Sequence, residues 1–170
     1  MKGYIHVYTG DGKGKTTAAL GLSLRAVCAG KSVYFGQFMK GMDYSELKAV
    51  DYLPNLTIKQ FGNTRFILNT ATEEDIRLAT AGLSEISKVL ASGDYDIVVL
   101  DELNVALFYE LFSLEEVLEV INNRHKKVEV IITGRKAAPE IIDLADLVTE
   151  MKEVKHYYND GVMARKGIES

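Results

Sequence analysis

The chain has little of what marks a secreted, membrane-spanning or nucleic-acid-binding protein. Its 170 residues include no tryptophan, one cysteine and two prolines. A single cysteine excludes a disulfide within the chain and suits a reducing compartment. No apolar run approaches the roughly 18 residues of a membrane helix, and the first apolar run begins too early to leave room for a signal peptide. The net charge of −4 argues against a basic surface. We therefore expect a cytoplasmic protein that binds neither nucleic acid nor membrane.

Apolar runs of strand length alternate with helix-like stretches. Strands are predicted at residues 4–8, 32–38, 56–60, 96–100, 128–133 and 147–151, and helices at 15–29, 45–52, 72–92, 113–123 and 139–145. The runs at 97–100 and 130–132 lack polar alternation, which is typical of strands buried on both faces. The pattern predicts one α/β domain over residues 1–170, with a mostly parallel sheet of about six strands and helices on both faces.

A glycine-rich run between the first predicted strand and helix indicates a phosphate-binding loop. The run is Thr9, Gly10, Asp11, Gly12, Lys13, Gly14, Lys15, Thr16 and Thr17. Glycines let backbone N–H groups curl around an anion, and the helix N-terminus adds donors and a positive dipole end. Lys15 supplies a full charge, and the Thr16 hydroxyl suits Mg²⁺. The run predicts triphosphate binding in a P-loop NTPase-like fold.

The run departs from the usual phosphate-loop pattern in one respect. In G-x-x-x-x-G-K-[ST], Thr9 stands where the first glycine belongs, and the glycine comes one place later at Gly10. An additional lysine, Lys13, lies between two glycines. An ordinary glycine-rich turn is the alternative interpretation. The departure itself indicates a variant loop with its own way of holding phosphates.

Asp101 and Glu102 follow the fourth predicted strand, which is wholly apolar from 97 to 100. Ligands of open α/β sheets bind at this carboxyl edge, where one carboxylate orients Mg²⁺ and the other acts on water or a hydroxyl. Acidic strand ends also occur without such a function. Asp96 is interpreted as the start of the strand.

Other candidate residues follow neighbouring strands. Lys40 either reaches phosphates or is a solvated loop lysine, and Arg135 either contacts phosphate or ribose or is a surface residue of a turn. Phe61 and Phe66 lie around a polar segment after the third strand, where aromatic residues either pack in the core or face a flat apolar substrate. The three histidines have no spacing typical of zinc ligands.

Six motifs in order resemble the P-loop type of ATP:corrinoid adenosyltransferases, the cob(I)alamin adenosyltransferase family. They lie at residues 10–17, 37–41 (Gln-Phe-Met-Lys-Gly), 101–104 (Asp-Glu-Leu-Asn), 133–135 (Thr-Gly-Arg), 139–151 and 154–169. The resemblance spans nearly the whole chain. It makes the shifted glycine and Lys13 features of the family.

The resemblance implies a transferase in which ATP gives its 5′-deoxyadenosyl group to Co(I) of a corrinoid and triphosphate leaves. It also implies ATP as co-substrate, Mg²⁺, a homodimer and a cobalt-reducing flavoprotein as partner. Cobalt is the nucleophile, so the protein has to position C5′ and stabilise the leaving group. Members of the family bind ATP reversed in the loop, which would place the α-phosphate near Lys15 and Mg²⁺.

The roles of individual residues follow from this resemblance. Catalytic candidates are Lys15, Thr16 and Glu102, and metal candidates are Thr16, Asp101 and Glu102. Residues expected at the triphosphate are Gly10, Asp11, Gly12, Lys13, Gly14, Lys15, Thr16, Thr17, Lys40 and Arg135. We expect Lys13 to add charge for the whole triphosphate.

The corrinoid is expected over the loop after the third strand, where aromatic residues of the family keep cobalt free of its lower ligand. Phe66 is the candidate for the corrinoid face, with Ile67 and Phe61 behind it. The family's Gly-Glu-Gly-Phe-Thr-Trp is replaced at residues 62–67 by Gly-Asn-Thr-Arg-Phe-Ile. Longer members also carry an N-terminal covering segment, which this chain is expected to lack. Both departures concern corrinoid binding more than ATP binding.

Two other classes of function stay open at this point. A small P-loop kinase or ATP-dependent ligase would act at the γ-phosphate and yield ADP. A non-catalytic ATP-binding module would bind ATP tightly without corrinoid-dependent turnover.

Overall fold

A parallel sheet forms the centre of the fold. The computed structural model describes residues 2–65, 67 and 70–169. Its strands are β1 (Ile5–Thr9), β2 (Val33–Phe38), β3 (Leu56–Phe61), β4 (Ile97–Asp101), β5 (Glu129–Thr133) and β6 (Leu147–Glu150). They lie in the order β3-β2-β4-β5-β1-β6, and all neighbouring pairs are parallel. The predicted α/β class is confirmed, with a fully parallel sheet in the described part of the chain.

The described residues form five α-helices and two short 3₁₀ helices. The α-helices are α1 (Lys15–Cys28), α2 (Glu73–Ser92), α3 (Leu103–Phe108), α4 (Leu114–Asn122) and α5 (Pro139–Leu144), and the 3₁₀ helices are Ser45–Asp51 and Tyr157–Asp160. The helix predicted at 45–52 is thus a 3₁₀ helix. None of its side chains is fully buried, so no apolar face favours a regular α-helix there. The helix α3 was not predicted because six residues are too few to display a helical period.

Apolar cores lie on both faces of the sheet. One core, which includes Phe38 and Leu100, packs under α2 to α5. The other joins Ala19 of α1 to Phe35 and Val99. Successive residues of a strand point to opposite faces, so β1 to β5 each contribute to both cores, whereas β6 is exposed. The prediction of strands buried on both faces is therefore confirmed.

The predicted helix starts and strand start are also confirmed. Thr72 and Ser113 cap α2 and α4 in reciprocal capping boxes with Asp75 and Glu116. The Asp96 carboxylate accepts a hydrogen bond from the backbone of Ser32 at 2.9 Å and so ties the start of β4 to the start of β2. Within the described ranges, no helix combines the length and apolarity needed to cross a membrane.

The strand order places the functional loops side by side. β4 lies between β2 and β5, and β5 lies between β4 and β1. Since the strands are parallel, the segments that follow all four meet at one edge. This edge brings the glycine-rich loop together with the residues after β2, β4 and β5.

Candidate active site

The glycine-rich loop is packed tightly against the segment that follows β6. Gly10 (φ 93°) and Gly14 (φ 118°) have left-handed backbone conformations, which favour glycine. A Cβ at Gly10 would clash with the Met151 carbonyl oxygen. The same carbonyl accepts a hydrogen bond from the N–H of Gly12 at 2.7 Å. The close approach of residue 151 therefore explains why the loop carries its glycine at position 10.

Lys15 lies inside the curve of this loop. Its side chain is buried, and Nζ donates hydrogen bonds to the carbonyl oxygens of Gly10 and Gly12, both at 2.7 Å. Burial lowers the pKa of Lys15, while the nearby Glu102 carboxylate partly offsets this effect. The ammonium and the N-terminus of α1 thus face the space that the loop encloses, which is an arrangement suited to an anion.

Asp101 is the most extensively hydrogen-bonded carboxylate of the site. It is the last residue of β4 and is fully buried. Its oxygens accept hydrogen bonds from Thr16 Oγ1 at 2.9 Å, Thr133 Oγ1 at 2.7 Å, Lys40 Nζ at 3.0 Å and Gln37 Nε2 at 3.3 Å. These donors come from α1, β5, the segment after β2 and β2 itself. The carboxylate is therefore held in one orientation before any ligand binds.

Glu102 begins α3 with an uncommon backbone conformation. Its φ of 59° is left-handed, a conformation that non-glycine residues rarely adopt and that concentrates at functional sites. Its backbone N–H donates to Thr133 Oγ1 at 2.9 Å. Burial raises the pKa of the Glu102 carboxyl, and the neighbouring Asp101 raises it further. The turn brings a second carboxylate to the same edge as Asp101.

The oxygen atoms of Thr16, Asp101 and Glu102 are the ligand types that Mg²⁺ prefers. Among the described residues there is no group of three or more acidic, histidine or cysteine side chains placed to hold a metal. Mg²⁺ commonly binds through one or two carboxylates, with phosphate oxygens and water completing its octahedral shell. The donor set fits a Mg²⁺–triphosphate complex better than it fits a metal held by protein alone.

Two further cations lie at this edge. Lys40 is only 14% exposed and also approaches Glu46 Oε1 at 3.4 Å, so it belongs to the site and is not a solvated loop lysine. Burial lowers the pKa of Lys40, but the Asp101 carboxylate outweighs this effect and the net shift is upward. Arg135 is exposed, and its charge contributes to the lowering of the Lys15 pKa, after burial. Together with Lys15, Lys40 and Arg135 thus place three positive charges around the opening of the loop.

Two partners of Asp101, Gln37 and Thr133, were not identified as site residues from the sequence. Gln37 and Thr133 both occur in the quoted motifs, but their contact with Asp101 follows from strand pairing, in which Gln37 is the direct neighbour of Asp101. Asn104 is fully buried and donates to the Gly134 carbonyl at 3.2 Å, which supports the turn before Arg135. The sequence signal that could have identified these residues is a polar side chain at or near the end of an apolar strand.

Lys13 lies on the outer side of the loop. Its Nζ donates to the Tyr157 hydroxyl at 3.2 Å, the Ile168 carbonyl at 3.1 Å and Glu169 Oε1 at 2.9 Å. Asp11 and Thr17 are exposed beside the loop. In this structure the expected phosphate ligand Lys13 is thus engaged by the C-terminal part of the chain.

The expected corrinoid side lies at the loop after β3. Phe61 is buried beside Phe38, with ring centroids 5.7 Å apart, and Ile67 packs partly against the same core. Phe66 lies outside the described residues. Arg65 donates to Asp75 Oδ2 at 3.1 Å and anchors the segment to the start of α2. Phe61 and Ile67 thus form the inner side of this loop.

The fold and the loop define a P-loop NTPase-like protein, and comparisons with known proteins identify its family. The family model for ATP:corrinoid adenosyltransferase BtuR/CobO/CobP matches residues 1–170. Corrinoid adenosyltransferase of Escherichia coli strain K12 is 40% identical over 170 residues, covering 99% of this chain and 86% of that protein. Corrinoid adenosyltransferase CobA of Salmonella typhimurium strain LT2 is 41% identical with the same coverage. The chain belongs to the ATP:corrinoid adenosyltransferase family, as its motifs indicated.

Proposed function

We propose that this protein transfers the 5′-deoxyadenosyl group of ATP to Co(I) of a corrinoid and releases triphosphate. The observation that carries the proposal is the placement of Lys15 and Thr16 beside the buried Asp101, in a chain of this family. The electron pair of Co(I) forms the bond to C5′. The C5′–O5′ bond breaks, and its electron pair leaves on the triphosphate.

Lys15 acts on the leaving group in this proposal. Negative charge develops on O5′ and the α-phosphate as the bond breaks, and a donor helps most where its interaction strengthens in the transition state. A reversed ATP, as implied for the family, brings the α-phosphate to Lys15 and the N-terminus of α1. The buried position of Lys15 supports this role, because electrostatic interactions are stronger away from water.

Thr16 and Asp101 would hold Mg²⁺ in the proposed complex, with Glu102 completing the carboxylate pair. When bound, the metal neutralises charge on the triphosphate oxygens. Lys40 donates to Asp101 Oδ2 at 3.0 Å, and from this position it would also interact with a phosphate oxygen. Arg135 supplies further positive charge at the exposed rim.

The corrinoid lies over the loop after β3, with Phe66 toward its ring and Ile67 and Phe61 behind. Two contacts of the described residues support a fixed loop. Arg65 is bound to Asp75, and the backbone at Gly62 lies so close to Lys40 that a Cβ there would clash. The contact between Gly62 and Lys40 joins the loop after β3 to the residues beside Asp101.

A homodimer is part of the proposal. Among the described strands, β6 is the last on its side of the sheet, and its Leu147 and Val148 are 44% and 42% exposed. Two copies related by a two-fold axis can pair such edge strands antiparallel. Light scattering tests this, since Val148→Lys should convert a dimer to a monomer; a wild-type monomer would contradict it.

The reductant and the compartment complete the proposal. Co(I) requires an electron donor, and we infer a reduced flavoprotein in the cytoplasm as its source. Turnover with a reduced flavoprotein and Co(II) corrinoid would support this. Turnover that occurs only with a chemical reductant, with every flavoprotein tested inactive, would argue against it.

One assay tests the proposed reaction. The protein is incubated with ATP, Mg²⁺ and a chemically reduced corrinoid, while ³¹P NMR identifies the phosphate product and absorbance follows formation of the cobalt–carbon bond. Tripolyphosphate formed in proportion to alkylated corrinoid is expected. ADP as the product would indicate a kinase or ligase, and ATP binding without turnover would indicate a binding module.

A further inference from the structure

All hydrogen-bond donors of the Lys13 ammonium are directed to the C-terminal part of the chain. An ammonium group has three N–H donors, and Lys13 Nζ meets three acceptors, on Tyr157, Ile168 and Glu169. Residues 157–169, which we call the C-terminal strap, are thus joined to the phosphate loop through one lysine. A phosphate oxygen can bind Lys13 only if at least one of these contacts is given up.

The Glu169 carboxylate is the centre of this contact. Besides Lys13, it accepts hydrogen bonds from the Tyr157 hydroxyl and from the backbone N–H of Arg165 at 2.8 Å. The Arg165 guanidinium also lies against it, at 3.3 Å. These donors, led by Tyr157, lower the pKa of Glu169. It is therefore a carboxylate at neutral pH, and it presents a negative charge to the lysine next to the phosphate site.

Little apolar packing secures the strap. Val162, Met163 and Ile168 are 38%, 70% and 55% exposed. Among the described residues beyond Lys152, none belongs to either apolar core. The strap is held largely by exposed polar contacts, which contribute little to stability because water and salt screen them. A polyanion bound a few residues away can therefore compete for Lys13.

We propose that Glu169 competes with the triphosphate for Lys13, so that triphosphate binding releases the strap from the loop. The proposal rests on triphosphate binding at the loop, as proposed above, and adds that the nucleotide opens the strap. A triphosphate carries several negative charges against the single charge of Glu169, so Lys13 exchanges one partner for the other. The strap then frees the outer side of the loop.

The direction in which Glu169→Gln changes triphosphate affinity tests the proposed competition. Calorimetry measures the Kd of inorganic tripolyphosphate with Mg²⁺. Glu169→Gln should tighten binding about two- to fivefold, because it removes the competitor. Lys13→Ala should weaken binding, and Glu169→Gln should have no further effect in the double variant. The control is Glu119→Gln, which changes an exposed carboxylate of α4 outside the strap and should leave Kd unchanged. Weaker binding by Glu169→Gln would overturn the proposal.

A second measurement follows the strap itself. The chain contains no tryptophan, so Ile168→Trp introduces a single reporter while keeping the backbone carbonyl that Lys13 binds. Tripolyphosphate should lower the fluorescence anisotropy of this tryptophan. Binding without an anisotropy change would overturn the strap proposal and leave the phosphate site intact. Failure of tripolyphosphate to bind at all would overturn both.

Discussion

The two sides of the phosphate loop are built in different ways. On the inner side, Lys15 is 7% exposed and Asp101 is fully buried, and both are held by residues of the core strands or the loop itself. On the outer side, the side chains of Lys13 and Glu169 are 39% and 15% exposed, and they hold each other. The inner side is therefore held by buried contacts, whereas the outer side is held by more exposed ones. Two lysines separated by one residue thus have different surroundings, and in the proposed complex they have different tasks.

The largest expected effect is on the inner side. Lys15→Ala should lower kcat/KM about 100- to 1,000-fold, because it removes a preorganised donor to the leaving group. Steady-state kinetics with a reduced corrinoid measure this. Lys48→Ala, at an exposed lysine, is the control. Lys13→Ala should lower kcat/KM far less, and equal losses from the two substitutions would show that the two loop lysines do not differ in function.

Asp101→Asn should affect both activity and stability. The substitution removes an ionised acceptor from buried donors, and the free energy of unfolding should fall by about 1–3 kcal/mol. Urea denaturation measures this, with Asp43→Asn as a control at an exposed aspartate. Glu169→Gln should leave the unfolding midpoint unchanged. A stability loss at Glu169 that matches the loss at Asp101 would contradict the contrast between the two sides.

Thr133→Val tests whether the inner side of the loop depends on a hydroxyl that orients Asp101. Its hydroxyl donates to Asp101 and accepts from the backbone of Glu102. We expect a cost of about 1 kcal/mol in stability and a loss of kcat with little change in KM for the corrinoid. Thr80→Val, on the exposed face of α2, is the matched control. Wild-type kcat in the Thr133 variant would show that the orientation of Asp101 does not depend on this hydroxyl.

The smallest effect concerns the corrinoid side and depends on pH. Burial opposes ionisation of Asp75, but hydrogen bonds from Thr72 and the charge of Arg65 lower its pKa below the ordinary 3.8. A lowered pKa in the folded state gives stability that is present above the ordinary pKa and lost as pH falls through the lowered value. Asp75→Asn should lower the free energy of unfolding by about 0.5–1 kcal/mol at neutral pH. Below pH 3.8, the stability of the variant should fall less with decreasing pH than that of the wild type.

Urea denaturation at several pH values follows this change, with Asp51→Asn as an exposed control. If the stability of the Asp75 variant falls at acid pH as steeply as that of the wild type, the capping contacts of Asp75 do not depend on its charge. Weakened corrinoid binding in the same variant, with ATP binding intact, would support the role of Arg65 and Asp75 in fixing the loop.

Local patterns predicted most of the fold and the inner side of the site. Apolar runs, capping residues and the glycine-rich loop depend on neighbours in sequence, so the strands, α1 and the positions of Lys15 and Asp101 could be predicted. The contact of Gln37 with Asp101 depends on strand register. The partners of Lys13 lie about 150 residues away in the chain, at 157, 168 and 169. No local pattern encodes such a contact.

The glycine at position 10 likewise has one aspect that the local sequence reveals and one that only a tertiary contact explains. Its presence was evident from the sequence, and the resemblance to the family made it a regular feature. Its cause became evident only from the approach of Met151 to Gly10 and Gly12. A tertiary contact with the segment after β6 thus determines which position of the loop has to be glycine.

The proposed reaction breaks the bond between C5′ and O5′, and an isotope label shows which bond is broken. ATP carrying ¹⁸O at the O5′ position is incubated with Mg²⁺, the reduced corrinoid and the protein, and mass spectrometry locates the label. If cobalt attacks C5′, all of the label leaves in the triphosphate and none stays with the adenosyl group. Label retained in an adenosine-containing product would indicate cleavage at a phosphorus atom and would rule out adenosyl transfer to cobalt.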